Sequence, residues 1–368
     1  MIRNLLGLFG SAILLSTMTA AASAQDDMEE EANWSIAIHG GAGTIDRDKI
    51  TPEKDTEIRA ALNKALAIGS DILKDGGTAM DAVTATIISL ENDPNFNAGK
   101  GAVFTWDKTN ELDSSIMDGS DLSAGAVAGI NGTKNPILLA RAVKDNSPHV
   151  MLSGEGANQF SREQGLEQVT PDYYATPHRL QQIEAVLARE ISAADIDYKF
   201  GTVGAVAQDR GGNMAAGTST GGMTGKRWGR IGDSPVIGAG TYADNRSCAI
   251  SATGAGEYFI RLGVAHEICA RIRMRWPVAI EEAQQTVPKD ENGNYTYRIH
   301  ASEFTLSDEE IQRIADDVIA ELGELGGTGG IIYATPWGQA GYSFNTPGMY
   351  RGRATSEGEA SVAIYGDE

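Results

Sequence analysis

Hydroxyl-bearing and charged residues in the second half of this chain follow an order suited to the hydrolysis of an amide bond. They are Thr202, Thr220, Arg230, Asp233 and Thr253. A threonine hydroxyl serves as a nucleophile when a base lies beside it. A guanidinium group binds a carboxylate through two parallel hydrogen bonds, and a carboxylate can bind an ammonium group. These residue types would suit an enzyme that attacks an amide in a substrate with free amino and carboxyl groups, but Arg230 and Asp233 taken alone would more often form a surface ion pair.

Thr202 has no histidine or cysteine close to it in the sequence that could act as its base. Cleavage of the Gly201–Thr202 peptide bond would supply one, because it frees an α-amino group with an ordinary pKa of about 7.7–8.0. Gly201 suits such a bond, since a residue without Cβ tolerates the strained backbone that self-attack requires. Cleavage between Gly201 and Thr202 would therefore meet the need for a base, although an isolated Gly-Thr more often only begins a β-strand.

Four segments together resemble the plant-type asparaginase/isoaspartyl peptidase family of N-terminal nucleophile hydrolases. They are Phe200–Ala207, Ser219–Thr224, Gly229–Pro235 and Ser251–Glu257. The resemblance extends from about residue 34 to about residue 352. It implies an α/β fold of layered type, the four-layer αββα sandwich of these hydrolases.

Processing in this family implies two subunits that build one domain. Residues 25–201 would form the α subunit, and residues 202–368 would form the β subunit that begins with the nucleophile. A variable linker precedes the cleavage site in the family, and the polar stretch Ala193–Tyr198 is expected to be mobile. The resemblance also implies a dimer of αβ heterodimers.

The resemblance assigns roles to individual residues. The implied catalytic residues are Thr202, Thr220, Thr253, Gly254 and Asn97. The implied substrate-binding residues are Arg230, Asp233, Thr253, Gly254 and Gly256. Thr220 would orient the nucleophile, Thr253 and Gly254 would form the oxyanion hole, and Gly256 would present its carbonyl oxygen to the substrate ammonium.

A structural sodium ion is implied by the same resemblance, whereas no catalytic cofactor is. The loop that resembles the family's sodium loop would bind the ion through backbone carbonyl oxygens. By position these are the carbonyls of Leu90, Glu91, Asp93, Phe96, Ala98 and Lys100. Oxygen-only ligation suits a hard cation.

The implied function is removal of β-aspartyl groups from isoaspartyl dipeptides together with deamidation of L-asparagine. Two alternatives stay open. A glycosylasparaginase-like amidase would be expected to have His-Asp-Thr at the cleavage site, where this chain has Phe200-Gly201-Thr202. A non-catalytic, exported amino-acid-binding protein could use Arg230 and Asp233 without any cleavage.

One departure from the family pattern lies at Lys226-Arg227-Trp228, where smaller or apolar residues are expected before Gly-Arg. Arg227 beside the substrate loop would favour a leaving group that carries a carboxylate. The polar stretch Pro288–Thr305 is longer than expected, and the sequence suggests no function for it.

The N-terminus has the layout of a secretory signal peptide. Arg3 precedes an apolar run from Leu5 to Leu15, and Ala22-Ser23-Ala24 provides small residues for cleavage after Ala24. The run is too short to span a bilayer, which takes about 20 apolar residues. Residues 1–24 therefore predict export, to the periplasm in a Gram-negative host, and no membrane association.

The net charge of −20 argues against nucleic acid as a partner, because binding phosphates requires clustered lysine and arginine. The substrate is therefore expected to be a small molecule or dipeptide. The cysteines Cys248 and Cys269 could form a disulfide in an exported protein. Their placement in an apolar strand and a helix favours two free buried thiols instead.

Hydrophobic periodicity and turn residues predict helices packed on antiparallel sheets. The predicted helices are Pro52–Asp75, Thr78–Leu90, His178–Ile191, Gly256–Met274 and Ser307–Leu322. The predicted strands are Trp34–Ile38, Ala102–Thr105, Ser123–Ile130, Thr202–Gln208, Asn213–Thr218, Val236–Tyr242, Ser247–Ala252, Gly330–Thr335 and Gly341–Phe344. His39–Gly43 is expected to be a glycine-rich loop after the first strand.

Overall fold

The computed structural model describes residues 33–188, 201–301, 304–358 and 360–368. The expected signal peptide and the expected mobile linker Ala193–Tyr198 lie outside these residues. The strands are β1 (Ser35–Gly43), β2 (Leu112–Asp118), β3 (Ala124–Ile130), β4 (Met151–Ser153), β5 (Val203–Gln208), β6 (Met214–Thr220), β7 (Thr241–Asp244), β8 (Cys248–Gly254), β9 (Gly329–Ala334), β10 (Ala340–Phe344), β11 (Gly348–Thr355) and β12 (Ser361–Tyr365). The helices are α1 (Pro52–Lys74), α2 (Ala79–Glu91), α3 (Pro136–Asn146), α4 (Gly154–Glu163), α5 (Pro177–Ala188), α6 (Gly256–Leu262), α7 (Val264–Thr286) and α8 (Asp308–Glu324).

The strands form two sheets. The larger sheet has the order β12-β11-β1-β5-β6-β2-β3-β4, and the smaller has the order β10-β9-β8-β7. All pairings are antiparallel except that of β3 with β4. Strands β1, β5 and β6 occupy the middle of the larger sheet, and β8 occupies the middle of the smaller one.

Three apolar cores separate four layers, as expected for an αββα sandwich. Helices α1, α2 and α3 cover the larger sheet, with residues such as Leu66 and Ile87 in the first core. Helices α7 and α8 cover the smaller sheet in a second core. A third core of mostly small residues lies between the two sheets, for example Ala216 and Ala249. Small side chains let the two sheets approach closely, and the candidate site lies at one end of this interface.

Capping and turn chemistry fixes several boundaries as predicted. Thr78 caps α2 by accepting a hydrogen bond from the Asp81 N–H, and Ser307 caps α8 by accepting one from the Glu310 N–H. The β5–β6 hairpin is also confirmed, because its turn is closed by Asp209, which accepts backbone hydrogen bonds from Gly211 and Asn213.

Four element predictions are wrong. His39–Gly43 is the second half of β1, because these residues pair with β11 through a bulge. Ala102–Thr105 belongs to no strand. The strand predicted at Val236–Tyr242 begins only at Thr241, after a turn. The helix predicted at Gly256–Met274 is divided at Gly263, whose φ of 63° caps α6 and starts α7.

Other features were not anticipated from the sequence. Strands β2, β4, β11 and β12 and helices α3 and α4 have no counterpart among the predictions. Within Pro288–Thr305, of which residues 302 and 303 are not described, the chain forms an exposed turn closed by the Lys289–Tyr295 bridge. No helix in the described part of the chain combines the length and apolar character needed to cross a membrane.

The expectation of two free cysteines is wrong, because Cys248 and Cys269 form a disulfide. The strand and the helix that carry them lie against each other, and their Cα atoms are 5.3 Å apart. Sequence placement alone did not reveal that β8 and α7 bring the two thiols into register. The bridge joins the strand that ends at Thr253–Gly254 to the helix that covers it.

Removal of this bridge should destabilise the protein. A crosslink over a sequence separation of 21 limits the unfolded chain and contributes about 3 kcal/mol. We expect the Cys248→Ala/Cys269→Ala variant to lose about that much free energy of unfolding in a denaturant titration. Each single variant should behave like the double variant, because either one abolishes the bridge. A midpoint equal to that of the wild type would contradict this prediction.

Candidate functional site

Thr202 and Thr220 meet at the end of the β5–β6 hairpin. Val203 pairs with Ser219, so that Thr202 and Thr220 occupy adjacent positions just beyond this pair. Their side-chain oxygens lie 2.9 Å apart, and both residues are buried. The hairpin therefore brings together the two threonines that the sequence singled out.

The carbonyl group before Thr202 is held by a backbone donor. The N–H of Asn97 donates to the Gly201 carbonyl oxygen over 2.9 Å. The side-chain amide of Asn97 also donates to the Gly222 carbonyl oxygen over 2.7 Å. A Cβ on Gly201 would lie only 2.7 Å from the Cβ of Asn97. Only glycine fits at Gly201, and Asn97 connects the scissile bond to the turn after Thr220.

His39 lies behind the nucleophile and holds its backbone. Its Nδ1 donates to the Thr202 carbonyl oxygen over 3.0 Å, and its Nε2 accepts from the Ser251 hydroxyl over 2.9 Å. The carbonyl can only accept, which places the proton on Nδ1. Burial lowers the pKa of His39 to about 3, so the ring is neutral. Gly204 leaves the space for this contact, since its Cβ would collide with His39 and Ser251.

Arg230, Asp233 and Gly256 also lie together. A Cβ on Gly256 would stand 2.7 Å from the Asp233 Oδ1 and 3.1 Å from an Arg230 guanidinium nitrogen. Arg230 donates two hydrogen bonds of 2.9 Å to the carboxylate of Glu257. Glu257 thus occupies the face of the guanidinium that can donate two parallel hydrogen bonds to a carboxylate.

Asp233 is buried and has an unused acceptor. Its Oδ2 is buried and has no hydrogen-bond partner within the described residues. Burial raises the pKa of Asp233 to about 7, although hydrogen bonding to its own backbone and the charge of Arg230 oppose this rise. A buried carboxylate without a donor is costly. A substrate ammonium group placed beside it would supply both the donor and the compensating charge.

This raised pKa predicts a stabilising effect of Asp233→Asn. Between about pH 4 and pH 7, native Asp233 binds a proton that the unfolded chain has released, so its contribution to stability falls as pH rises. The neutral amide should therefore raise the Tm at pH 8 by roughly 2 °C or more and leave the Tm at pH 4 unchanged. Differential scanning fluorimetry at the two pH values checks this. An equal change in Tm at pH 4 and at pH 8 would mean that the charge of Asp233 is not the cause.

Thr253 and Gly254 end β8 on the side of the site. Ser251 and Thr253 lie on the same face of this strand, because side chains alternate. Ser251 contacts His39, which places Thr253 one step further along towards the strand end. The Thr253 hydroxyl is buried without a hydrogen-bond partner among the described residues. An orphaned hydroxyl at this position suits a donor for an oxyanion.

The loop after α2 has carbonyl oxygens that converge. The oxygens of Pro94 and Phe96 lie 2.6 and 2.7 Å from the position that a Cβ of Gly101 would occupy. The carbonyl oxygen of Glu91, the last residue of α2, accepts from the Lys100 N–H over 2.7 Å. The oxygens of Pro94 and Phe96 form a small carbonyl cradle around Gly101, and carbonyl oxygens are ligands that hard cations prefer. Of the expected ligands, Phe96 contributes one of these two oxygens.

Three buried residues at the site were missed by sequence reasoning. Asp113 lies opposite Thr220 in the β2–β6 ladder. Lys226, noted only as part of a departure from the family pattern, is buried beside Asp113. Arg179 of α5 is buried and donates to the Gly101 carbonyl oxygen over 2.8 Å. Asp113 stands among polar residues in β2, next to Ser114 and Ser115, so the sequence offered no signal that sets it apart.

Cavities identify the site only in part. A cavity of about 840 Å³ is lined by Asp308, Trp337 and Arg353, among others, and contains none of the expected site residues. A cavity of about 590 Å³ is lined by Gly201 and Arg179, among others. The site is instead defined by the chemistry of its side chains.

The layered fold, the threonine pair at a Gly–Thr bond and the Arg230–Asp233 pair beside Gly256, called the Arg–Asp clamp below, are together typical of a hydrolase of the N-terminal nucleophile class. The sequence model of the family described as asparaginase matches residues 32–300, and the chain belongs to this family. The isoaspartyl peptidase of Salmonella typhimurium is 42% identical over 337 residues, covering 90% of this chain and 98% of that protein. The isoaspartyl peptidase of Escherichia coli is 42% identical over 339 residues, covering 90% and 95%. The human isoaspartyl peptidase/L-asparaginase is 41% identical over 235 residues, covering 63% and 75%.

Proposed function

We propose that this protein is a self-processing threonine hydrolase that releases β-aspartyl groups from isoaspartyl dipeptides and deamidates L-asparagine. The observation that carries the proposal is the 2.9 Å contact between the hydroxyls of Thr202 and Thr220 at a Gly–Thr bond. Relatives that are 42% identical to it over 90% of the chain and bear the name isoaspartyl peptidase support it. Neither the glycosylasparaginase alternative nor the non-catalytic binding protein is favoured by these relatives.

Processing begins with attack of the Thr202 hydroxyl oxygen on the Gly201 carbonyl carbon. The Asn97 N–H stabilises the developing oxyanion, because it already donates to that carbonyl oxygen. The C–N bond breaks, the Thr202 nitrogen takes up a proton, and an ester joins Gly201 to the Thr202 side chain. Water hydrolyses this ester, which leaves a Gly201 carboxylate and a free α-amino group on Thr202.

Turnover uses the new amino group as the base for the Thr202 hydroxyl. Arg230 binds the α-carboxylate of the substrate and Asp233 binds its α-ammonium group, so the side-chain amide faces the nucleophile. Thr253 and Gly254 donate to the tetrahedral oxyanion. The amine of the amide leaves, an aspartyl ester of Thr202 forms, and water releases aspartate.

The purified protein tests both steps. A denaturing gel should show two fragments, and Edman sequencing of the one from residues 202–368 should read Thr-Val-Gly-Ala-Val. The enzyme should hydrolyse β-linked Asp-Leu and not α-linked Asp-Leu, because the clamp requires a free α-carboxylate on the aspartyl unit. An active enzyme that remains one chain, or equal hydrolysis of the two peptides, would overturn the proposal.

Arg227 is proposed to favour leaving groups that carry a carboxylate. Its guanidinium lies 3.2 Å above the centre of the Trp106 ring. No carboxylate of the described residues forms an ion pair with it. The adjacent Trp228 is 95% exposed. A preorganised cation next to the substrate loop supports a higher kcat/KM for isoaspartyl dipeptides than for asparagine.

Replacement of Arg227 by alanine should narrow this preference. The expected change is about two- to fivefold, since an exposed ion pair contributes about 1 kcal/mol or less. Steady-state kinetics of the wild type and of Arg227→Ala give, for each enzyme, the ratio of kcat/KM for β-Asp-Leu to kcat/KM for asparagine. A ratio that stays constant would show that Arg227 does not contact the leaving group.

Further proposals concern the ion, the compartment and the assembly. The carbonyl cradle around Gly101 would hold a structural sodium ion and fix the loop that carries Asn97. The sequence of residues 1–24 supports export, to the periplasm in a Gram-negative host, and the Cys248–Cys269 bridge agrees with an oxidising compartment. The mature enzyme is proposed to be a dimer of αβ heterodimers.

A further inference from the structure

A buried lysine lies against the turn that follows Thr220. The side chain of Lys226 is only 1% exposed, and its Nζ donates to the Glu111 carbonyl oxygen over 3.0 Å. A Cβ on Gly222 would lie 3.1 and 3.2 Å from the Cδ and Nζ of Lys226. The end of the lysine side chain therefore packs directly on the backbone of Gly222. Replacing it would leave a space under this turn.

Gly222 connects Lys226 to the nucleophile through two hydrogen bonds. The Gly222 N–H donates to the Thr220 hydroxyl over 3.0 Å. The Thr220 hydroxyl in turn lies 2.9 Å from that of Thr202. The orientation of Thr220, and with it that of Thr202, thus depends on where the backbone of Gly222 is held.

Two carboxylates supply the opposite charge. The Oε2 of the partly exposed Glu111 lies 3.8 Å from the Lys226 Nζ, and the Oδ2 of the buried Asp113 lies 3.9 Å from it. The Asp113 Oδ2 has no hydrogen-bond partner in the described part of the chain. The Asp113 Oδ1 accepts from the Gly129 N–H over 2.8 Å. Asp113 is fully buried and lies opposite Thr220 across the β2–β6 ladder. Two buried charges of opposite sign stabilise one another, whereas either one alone is costly.

We infer that Lys226, balanced by Asp113, is a positioning residue that holds the Gly221–Gly222 turn and so orients Thr220 towards Thr202. The inference rests on the proposed function, because it requires the two threonines to act together. Lys226 does not touch the reacting atoms in this arrangement. Its loss should therefore lower kcat and the rate of processing, with little change in the binding of substrate by Arg230 and Asp233.

The first test is Lys226→Met, which keeps the length of the side chain and removes its charge. We expect kcat for β-Asp-Leu to fall about 10- to 100-fold, the effect of a small misplacement of a reacting group, while KM changes less than about threefold. Processing of the precursor should slow in parallel. Lys74→Met, at an exposed position that pairs with Asp71, is the matched control and should match the wild type.

A double-mutant cycle separates positioning from a general loss of structure. If Lys226 acts through Thr220, the Lys226→Met/Thr220→Val variant should be no slower than Thr220→Val alone. Should Lys226→Met fail to fold, Asp113→Asn/Lys226→Met removes both charges and should fold with kcat still low. Additive effects in the cycle, or wild-type kcat in either lysine variant, would overturn the inference. A wild-type protein that neither cleaves nor hydrolyses would instead refute the proposed function.

Discussion

Thr202→Ala is expected to leave the protein as a single chain without measurable hydrolytic activity. The variant lacks the oxygen that attacks the Gly201 carbonyl, so neither processing nor the aspartyl ester can form. Loss of a nucleophile lowers turnover by about 10⁴-fold or more. A denaturing gel after prolonged incubation reports processing, and release of leucine from β-Asp-Leu reports turnover.

Two further variants make this test specific. Thr202→Ser keeps a hydroxyl and should retain a measurable part of both processing and activity. Thr56→Ala removes an exposed threonine of α1 and should leave both unchanged. If Thr202→Ala were cleaved at the same bond, a residue other than Thr202 would have to be the nucleophile.

The environment of Thr202 explains why turnover should require prior cleavage. Among the described residues, the hydrogen bond of its hydroxyl is to Thr220, which is not a base at neutral pH. His39 is close but bonds to the carbonyl oxygen of Thr202 and to Ser251. Both of its nitrogens are therefore occupied. The α-amino group of Thr202 remains the base that the site can provide, and it exists only after cleavage.

Local signals in the sequence sufficed for the parts of the fold that local interactions determine. The β5–β6 hairpin follows from alternating apolar residues around a turn with Asp209 and two glycines. Thr78 and Ser307 mark helix starts because their hydroxyls accept hydrogen bonds from backbone N–H groups three residues later. These features depend on a few residues that are close together in the sequence.

Pairings between distant segments were not accessible in this way. The second half of β1 is a strand only because β11, some three hundred residues later, pairs with it through a bulge. The disulfide between Cys248 and Cys269 likewise depends on the packing of α7 on β8. In both cases the local sequence predicted something else, a loop and two free thiols, whereas contacts between distant segments determine the structure.

The same limit applies to the site. The resemblance named Thr202, Thr220 and the Arg230–Asp233 pair, and the structure brings each pair together. It did not name Asp113 or Lys226, which are separated by more than a hundred positions and meet only because β2 lies beside β6. Nor did it suggest that Glu257 holds the guanidinium of Arg230.

Arg230→Ala is expected to separate processing from turnover. Arg230 contacts none of Gly201, Thr202 or Asn97 in the structure, so the variant should still cut itself into two fragments. The substrate carboxylate, by contrast, loses its bidentate partner and meets the carboxylate of Glu257. Truncation of such a pair costs about 2–5 kcal/mol, which corresponds to a loss of about 30- to 5000-fold in kcat/KM.

Comparison with two other arginine variants identifies the cause of the lower kcat/KM of Arg230→Ala. Arg230→Lys keeps the charge but cannot form two parallel hydrogen bonds, so its kcat/KM should lie between those of the wild type and Arg230→Ala. Arg313→Ala removes a surface arginine that is 60% exposed and should have no effect. Saturation kinetics with asparagine, run beside a gel of each variant, measures both turnover and processing.

Wild-type affinity for asparagine in a fully processed Arg230→Ala enzyme would show that the substrate carboxylate binds elsewhere. A lack of processing would mean instead that Arg230 also supports the scissile bond, which its bonds to Glu257 give no reason to expect.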